Sequence, residues 1–244
     1  MLYLRPAKEP ERNQPIDWPQ RLANRAGEAR DSRLQKFYRA GTVRGDTPLA
    51  STPFVALDFE TTGLDVEQHG IVSVGLIPFD LRRIRCAQAR HWVVKPRKAL
   101  VEESITYHGI THSDIQRAPD LSQVLDEILE ALAGRVVVVH YRAIERRFLD
   151  AALQARIGEG IEFPVVDTLE LEALAQREVP RGWLTRLRGH RRPSVRLADS
   201  RLRYGLPYYA PHHALTDALA TAELFQAQVA HHYSPTTPVA ELWR

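Results

Sequence analysis

Cysteine is nearly absent: Cys86 is the only one in 244 residues. That excludes an intrachain disulfide, a thiolate zinc cluster and a disulfide-stapled secreted scaffold. No apolar run approaches the roughly 18 residues a membrane span needs, and the opening stretch MLYLRPAKEP lacks the continuous apolar core of a signal peptide. A reducing cytoplasm is the expected compartment, with no membrane partner. No internal repeat is visible. With 44% hydrophobic, 26% charged and 8% aromatic residues, the chain is neither wholly disordered nor collagen-like nor a coiled coil. Its length is enough to bury one sizeable core.

The net charge of +3 conceals an asymmetry. Residues 1–50 carry ten Lys/Arg against six Asp/Glu, and residues 177–203 carry nine Arg against Glu178 and Asp199, which leaves the remainder at −8. A basic strip on an acidic body suits a protein that grips a polyanion while gathering carboxylates at a metal site. A merely solvated Arg-rich loop has the same composition.

Within the first 50 residues, Trp18, Leu22, Arg25, Leu34 and Phe37 lie on an imperfect helical stripe, with Asp17 placed as an N-cap and Pro19 in the first turn. Residues 1–50 therefore read as a basic helical N-terminal arm, residues 51–233 as the main domain with an Arg-rich insertion at about 177–203, and residues 234–244 as a tail. Phe54–Phe59, Ile71–Phe79 and, more weakly, Cys86–Val94 read as three consecutive strands. Leu121–Leu132 follows as a helix and Val136–Val139 as a fully buried strand. Ala143–Ala155 is a helix, Val165–Val166 a short strand, Leu169–Gln176 a helix, and His213–Ala230 the most regular helix of all. Alternation of this kind predicts an α/β sandwich.

Three segments carry candidate chemistry. Asp58 and Glu60 share one side of a strand end, because positions i and i+2 of a strand face the same way, and they run into the turn Thr61-Thr62-Gly63. Glu145 sits on the first turn of the helix that follows the four valines, where a carboxylate also suits the helix dipole. Asp217 lies in the first turns of the last helix, with His212 and His213 at its entry. Four acids and a histidine are the kit for metal-assisted hydrolysis, and oxygen-only ligands select Mg²⁺ or Mn²⁺ over zinc.

These segments closely resemble the DnaQ-like (DEDDh) 3′–5′ exonucleases, the family of the proofreading epsilon subunit of bacterial DNA polymerase III, over about Phe54 to Ala230. The first motif is met by Asp58-Phe59-Glu60-Thr61-Thr62-Gly63-Leu64 and the third by His212-x-Ala214-x-x-Asp217. The histidine five residues before Asp217 places the chain in the His branch, since the tyrosine branch has Tyr where His213 stands. His108-Gly109-Ile110-Thr111, Val166-Asp167-Thr168-Leu169 and Arg203-Tyr204-Gly205-Leu206 are secondary matches. The second motif departs from the family: His140, Phe148 and Leu149 are kept, but Tyr141 replaces Asn and Glu145 replaces the metal-binding Asp. The added methylene lengthens the reach by roughly 1.5 Å, close to the ~1 Å misplacement that matters to catalysis.

The resemblance implies a ribonuclease H-like α/β sandwich with a mixed sheet of about five strands, hydrolysing phosphodiester bonds at a 3′ end with two Mg²⁺ or Mn²⁺ ions. Asp58, Glu60 and Asp217 would hold one ion, and Asp58 with Glu145 the second. His212 would be the base. Thr61, Thr62, Gly63, Leu64, Glu103 and His108 would seat the terminal nucleotide. His213 points elsewhere, Asp167 is structural support, and His69, His91, His231 and His232 are ordinary. The implied partners are nucleic-acid 3′ ends, single-stranded DNA first, in proofreading or repair. A DNA polymerase or another replication or repair protein would be the partner of the arm. The Arg-rich segment interleaves Trp183, Tyr204, Tyr208 and Tyr209, a composition that suits phosphates and unpaired bases as well as ordinary packing. A catalytically attenuated nucleic-acid-binding subunit and an RNA-trimming exoribonuclease are the alternatives.

Overall fold

The structure, a computed structural model, describes residues 16–97, 110–178 and 193–244. Its centre is a five-stranded sheet in the order β3-β2-β1-β4-β5. Strand β1 (Phe54–Thr61) pairs antiparallel with β2 (Ile71–Phe79) on one side and parallel with β4 (Val136–Val139) on the other. β3 (Arg90–Val93) extends the antiparallel half and β5 (Val165–Asp167) the parallel half. Every residue of β2 and all four valines of β4 are buried, as expected for strands covered on both faces. β3 is shorter than the stretch Cys86–Val94 read from sequence. Cys86–Gln88 forms a 3₁₀ turn, and pairing with β2 begins only at Arg90, opposite Leu76.

Helices flank this mixed sheet in a ribonuclease H-like arrangement. α1 (Trp18–Glu28) and α2 (Ser32–Arg39) precede it; α3 (His112–Arg117) and α4 (Leu121–Leu132) lie between β3 and β4; α5 (Arg142–Ile157) joins β4 to β5; α6 (Thr168–Glu178), α7 (Leu197–Arg203) and α8 (Ala214–His232) follow. The long α8 packs on β1 and β2. Gly75 makes that approach possible, because a Cβ there would overlap the Ala214 carbonyl. α8 therefore starts directly over β2, one step across the sheet from Asp58, whose register partner is Gly75.

Two expectations are corrected. The segment read as an arm docks on the body: Trp18, Leu22, Leu34, Phe37 and Tyr38 of the α1–α2 hairpin belong to the same buried cluster as the sheet. Glu159 accepts the Arg30 and Asp31 amides, the Tyr38 hydroxyl accepts the Glu162 amide at 3.1 Å, and Arg21 pairs with Glu162. The stretch read as a tail is also built in. Val239, Leu242 and Trp243 are buried, and Arg244 exchanges backbone hydrogen bonds with Val165 of β5. In both segments apolar side chains are spaced closely enough to form one face, and burying that face is worth more than leaving it in water. Among the described residues, no helix is long and apolar enough to cross a membrane.

Candidate active site

Asp58 and Glu60 project from the end of β1, whose pairing with β2 is interrupted by a register shift between Glu60 and Thr61. Asp217 approaches from the first turn of α8. One carboxylate oxygen from each of the three lies within 4.8 Å of the others. Like charges this close repel, and burial adds to the cost of ionising them. Burial first, and the Asp217 charge second, raise Glu60 to about 8. Burial and the charges of Glu145, Asp217 and Glu60 push Asp58 well above the usual carboxylate range. Burial also raises Asp217, against the opposing effect of the His212 amide.

Glu145 stands apart from this trio. It lies on the first turn of α5, is 3% exposed, and is driven well above its usual value mainly by burial. Its charge acts on Asp58, yet its oxygens are not among those gathered within 4.8 Å. Glu145 Oε2 is buried without a hydrogen-bond partner. Among the described residues no Lys or Arg forms an ion pair with any of the four acids. Convergent, half-buried, uncompensated oxygens are a donor set that fits a hard divalent cation.

The two histidines before α8 do different things. His212 has φ +72°, and its amide donates to Asp217 Oδ2 at 2.8 Å. His213 caps α8: its Nδ1 accepts the Thr216 amide at 3.4 Å, and its ring stacks on His91 at a centroid distance of 4.8 Å. His213 thus does point elsewhere, while His91, read as ordinary, is the surface it points to.

The turn after β1 is closed by its own hydrogen bonds. The Thr61 hydroxyl donates to Gly63 O at 2.8 Å; the buried Thr62 hydroxyl accepts the Gly70 amide at 3.0 Å and lies 3.2 Å from His69 Nδ1. A Cβ on Gly63 would come within 2.6 Å of the His69 ring. His69 therefore supports the backbone of this turn, a role that loop closure creates and no spacing announces. Leu64 is left 54% exposed beside the acids. Thr62 faces inward, so the open surface of the turn belongs to Thr61, Gly63 and Leu64. Glu103, His108 and Trp183 lie outside the described residues.

Asp167 is structural support in a specific sense. Its carboxylate accepts the Tyr141 and Arg142 amides at 2.9 and 3.0 Å and the Leu169 amide at 3.0 Å, fastening the N-termini of α5 and α6. This capping holds Tyr141 at φ +93°. His140 lies 2.8 Å from the Thr168 hydroxyl and 3.0 Å from Val195 O, and burial lowers it to about 4.

The arginines beside α7 correct another expectation. Arg201 is buried, pairs with Glu223 at 2.7 Å and donates to Ala220 O and Pro207 O. Arg203 pairs with Glu172 at 2.9 Å. Both serve packing, and neither is a free phosphate grip. Tyr209 is likewise committed, lying under Arg201 and donating to Glu223, and Tyr204 bonds His232. Of the described members of that segment, Arg177, Arg196, Arg203 and Tyr208 are exposed, Arg203 with its charge taken up by Glu172.

Comparison with known proteins fits this geometry. The RNase_T family, described as Exonuclease, matches residues 55–225. The epsilon subunit of DNA polymerase III from Treponema pallidum is 30% identical over 179 residues, covering 73% of this chain and 77% of that one. The PolC-type DNA polymerase III of Thermotoga maritima is 31% identical over 180 residues, but the match spans only 12% of its length. Among solved structures, the nuclease domain of 3′hExo, a DEDDh family member bound to rAMP, has a TM-score of 0.60 at 18% identity, covering 74% of this chain and 92% of that one. Exonuclease X in complex with 5′ overhanging duplex DNA has a TM-score of 0.57 at 20% identity, covering 77% and 98%. At these identities the two structures speak for the fold.

Proposed function

The chain belongs to the RNase_T exonuclease family of DnaQ-like enzymes, and on that premise we propose that it hydrolyses phosphodiester bonds at the 3′ end of nucleic acid, single-stranded DNA first. The observation that carries the reading is the trio Asp58, Glu60 and Asp217, whose oxygens converge within 4.8 Å. We assign residues 51–233 to one catalytic domain on which the N-terminal hairpin is docked.

Bound Mg²⁺ or Mn²⁺ would neutralise the phosphate and make a water molecule more acidic. Asp58, Glu60 and Asp217 would hold one ion, and Asp58 with the longer Glu145 the second. The protein's own part is positioning and proton transfer. An imidazole nitrogen of His212 takes a proton from the attacking water, whose oxygen bonds to phosphorus as the bond to the 3′ oxygen breaks; that oxygen leaves and takes a proton from solvent to become the new terminal hydroxyl, and His212 returns its own proton to solvent. Asp217 keeps His212 in place by accepting its amide. Thr61, Gly63 and Leu64 form the open surface that receives the terminal nucleotide, with Thr62 holding the turn from inside; Glu103 and His108 are assigned to the same subsite by their motif positions.

The epsilon and PolC-type relatives support a role in replication or repair and a polymerase as partner. Since the apolar face of the hairpin is spent on the core, such a partner would meet its polar side, where Arg30, Lys36 and Arg39 are exposed. One observation favours a second reading, an attenuated nuclease that mainly binds: Glu145 stays outside the trio. Matched single-stranded DNA, duplex DNA and RNA, digested with Mg²⁺ or Mn²⁺, test the proposal. Single-stranded DNA should shorten fastest. Fastest loss of RNA would select the RNA-trimming alternative, and binding without hydrolysis in either metal would select the attenuated one.

A further inference from the structure

The entry to α8 is tied to the edge of the sheet by contacts that the chemistry above does not use. Ser73 of β2 is buried, and its hydroxyl lies 2.7 Å from His91 Nε2. His91 stands on β3 opposite Gly75, and its ring stacks on that of His213 with an interplanar angle of 30°. Burial and the neighbouring His213 hold His91 below the usual histidine range, so at neutral pH it meets His213 as an uncharged ring. The His213 side chain reaches α8 through long contacts, 3.4 Å to the Thr216 amide and 3.3 Å to the Thr216 hydroxyl.

His212 is joined to this stack by its peptide to His213 and to Asp217 by its amide, and it lies in the left-handed region at φ +72°. A side chain disfavours that conformation, which persists only where the surroundings over-determine it. One restraint is the amide bond to Asp217 Oδ2. A second is the His213 carbonyl, which accepts the Asp217 amide at 2.9 Å; these two hold the backbone through Asp217, while the His213 ring is held separately. Packed against that ring is His91, at a centroid distance of 4.8 Å.

We propose that His91 is a positioning residue: fastened to β2 through Ser73, it clamps His213 by ring stacking and so keeps His212 in its left-handed conformation beside Asp217. The proposal rests on the reading of His212 as the base, but the clamp can be measured without it. His91→Ala removes that packing, whereas His91→Phe keeps a stacking ring and loses only the bond to Ser73.

The test compares both variants with the parent by amide hydrogen exchange at His212 and by kcat and KM on a single-stranded 3′ end. In His91→Ala, exchange at His212 should accelerate about 10-fold. Turnover should fall about 3- to 10-fold, the factor an aromatic contact of this kind contributes to an equilibrium, with KM and Tm unchanged. His91→Phe should recover most of both. Unchanged His212 exchange in His91→Ala overturns the clamp, and so does a loss of turnover that comes with a matching fall in Tm and is not rescued by Phe. If the parent hydrolyses nothing, the assignment of His212 as base fails by itself, and the exchange comparison still decides whether His91 holds the entry to α8.

Discussion

Metal-free protein should melt at lower temperature as the pH rises from 6.5 to 8. Glu60 is the reason: its folded-state value of about 8 lies above the 4.5 of an ordinary glutamate. Between those values the folded chain holds a proton that the unfolded chain has lost, so stability present at low pH is given up as pH rises. Each pH unit costs about 1.4 kcal/mol for one such proton, or about 2 kcal/mol over this window. For a chain of this size that corresponds to roughly 4–8 °C in Tm. Asp58, Asp217 and Glu145 are displaced in the same direction, so none of them opposes the fall. Below pH 6.5 the trend is opposed by His140, which burial lowers to about 4: there the unfolded chain binds the proton, and stability rises with pH. The clean window therefore begins at 6.5.

The assay is thermal melting followed by circular dichroism, in chelator and then in saturating Mg²⁺ or Mn²⁺, for the parent and for Glu60→Gln. A cation that binds only the folded chain adds about 2.7 kcal/mol at a hundred times its Kd. Its hold tightens as the carboxyl protons leave, so the metal-loaded curve should be nearly flat with pH. Glu60→Gln should flatten the metal-free curve. A metal-free Tm that stays level or rises between pH 6.5 and 8, together with no response to either cation, would refute the reasoning about the carboxylate trio.

Other perturbations have equally definite signs. His212→Ala should cut turnover by about 10² to 10⁴ while leaving single-strand affinity nearly intact, and His213→Ala should do much less; reversed effects in a kinetic assay would mean the wrong histidine was assigned. Glu145→Asp should lower activity by withdrawing the carboxyl roughly 1.5 Å, and Glu145→Gln should lower it further and weaken the response to a Mg²⁺ titration. Parental activity in the Gln variant would remove Glu145 from the ligand set. Trp18→Ala, at a site 3% exposed, should cost about 3–5 kcal/mol in chemical denaturation; a loss under 1 kcal/mol would mean that the hairpin is not part of the core.

Much of this architecture was legible in the residues. The largely apolar runs Phe54–Phe59 and Ile71–Phe79 and the four valines Val136–Val139 are bounded sharply enough to be buried strands, and the period of Leu215, Ala218, Ala222 and Phe225 leaves α8 no other state. Asp58, Glu60 and Asp217 followed from where carboxylates stand at the ends of those elements. What escaped were contacts made by closing distant pieces. The stripe around Trp18 and Phe37 reads as a helix, but nothing local says that its apolar face is consumed by the sheet. Leu242 and Trp243 are too short a run to announce an element, and they gain one only by lying against β5. His69 and His91 have no informative spacing, because one acts through a loop folding back on Gly63 and the other through a stack across β3 and α8. Arg201 and Arg203 carry charge that composition assigns to a polyanion, whereas Glu223 and Glu172 take it up inside the fold.

The most direct measurement follows a 5′-labelled single-stranded DNA through time in Mg²⁺, alongside an Asp58→Asn variant. The expected product is a ladder that shortens from the 3′ end one nucleotide at a time, absent in chelator and absent in the variant. An oligonucleotide that stays intact in both Mg²⁺ and Mn²⁺, or one whose label is released first as a mononucleotide from the 5′ end, would contradict it.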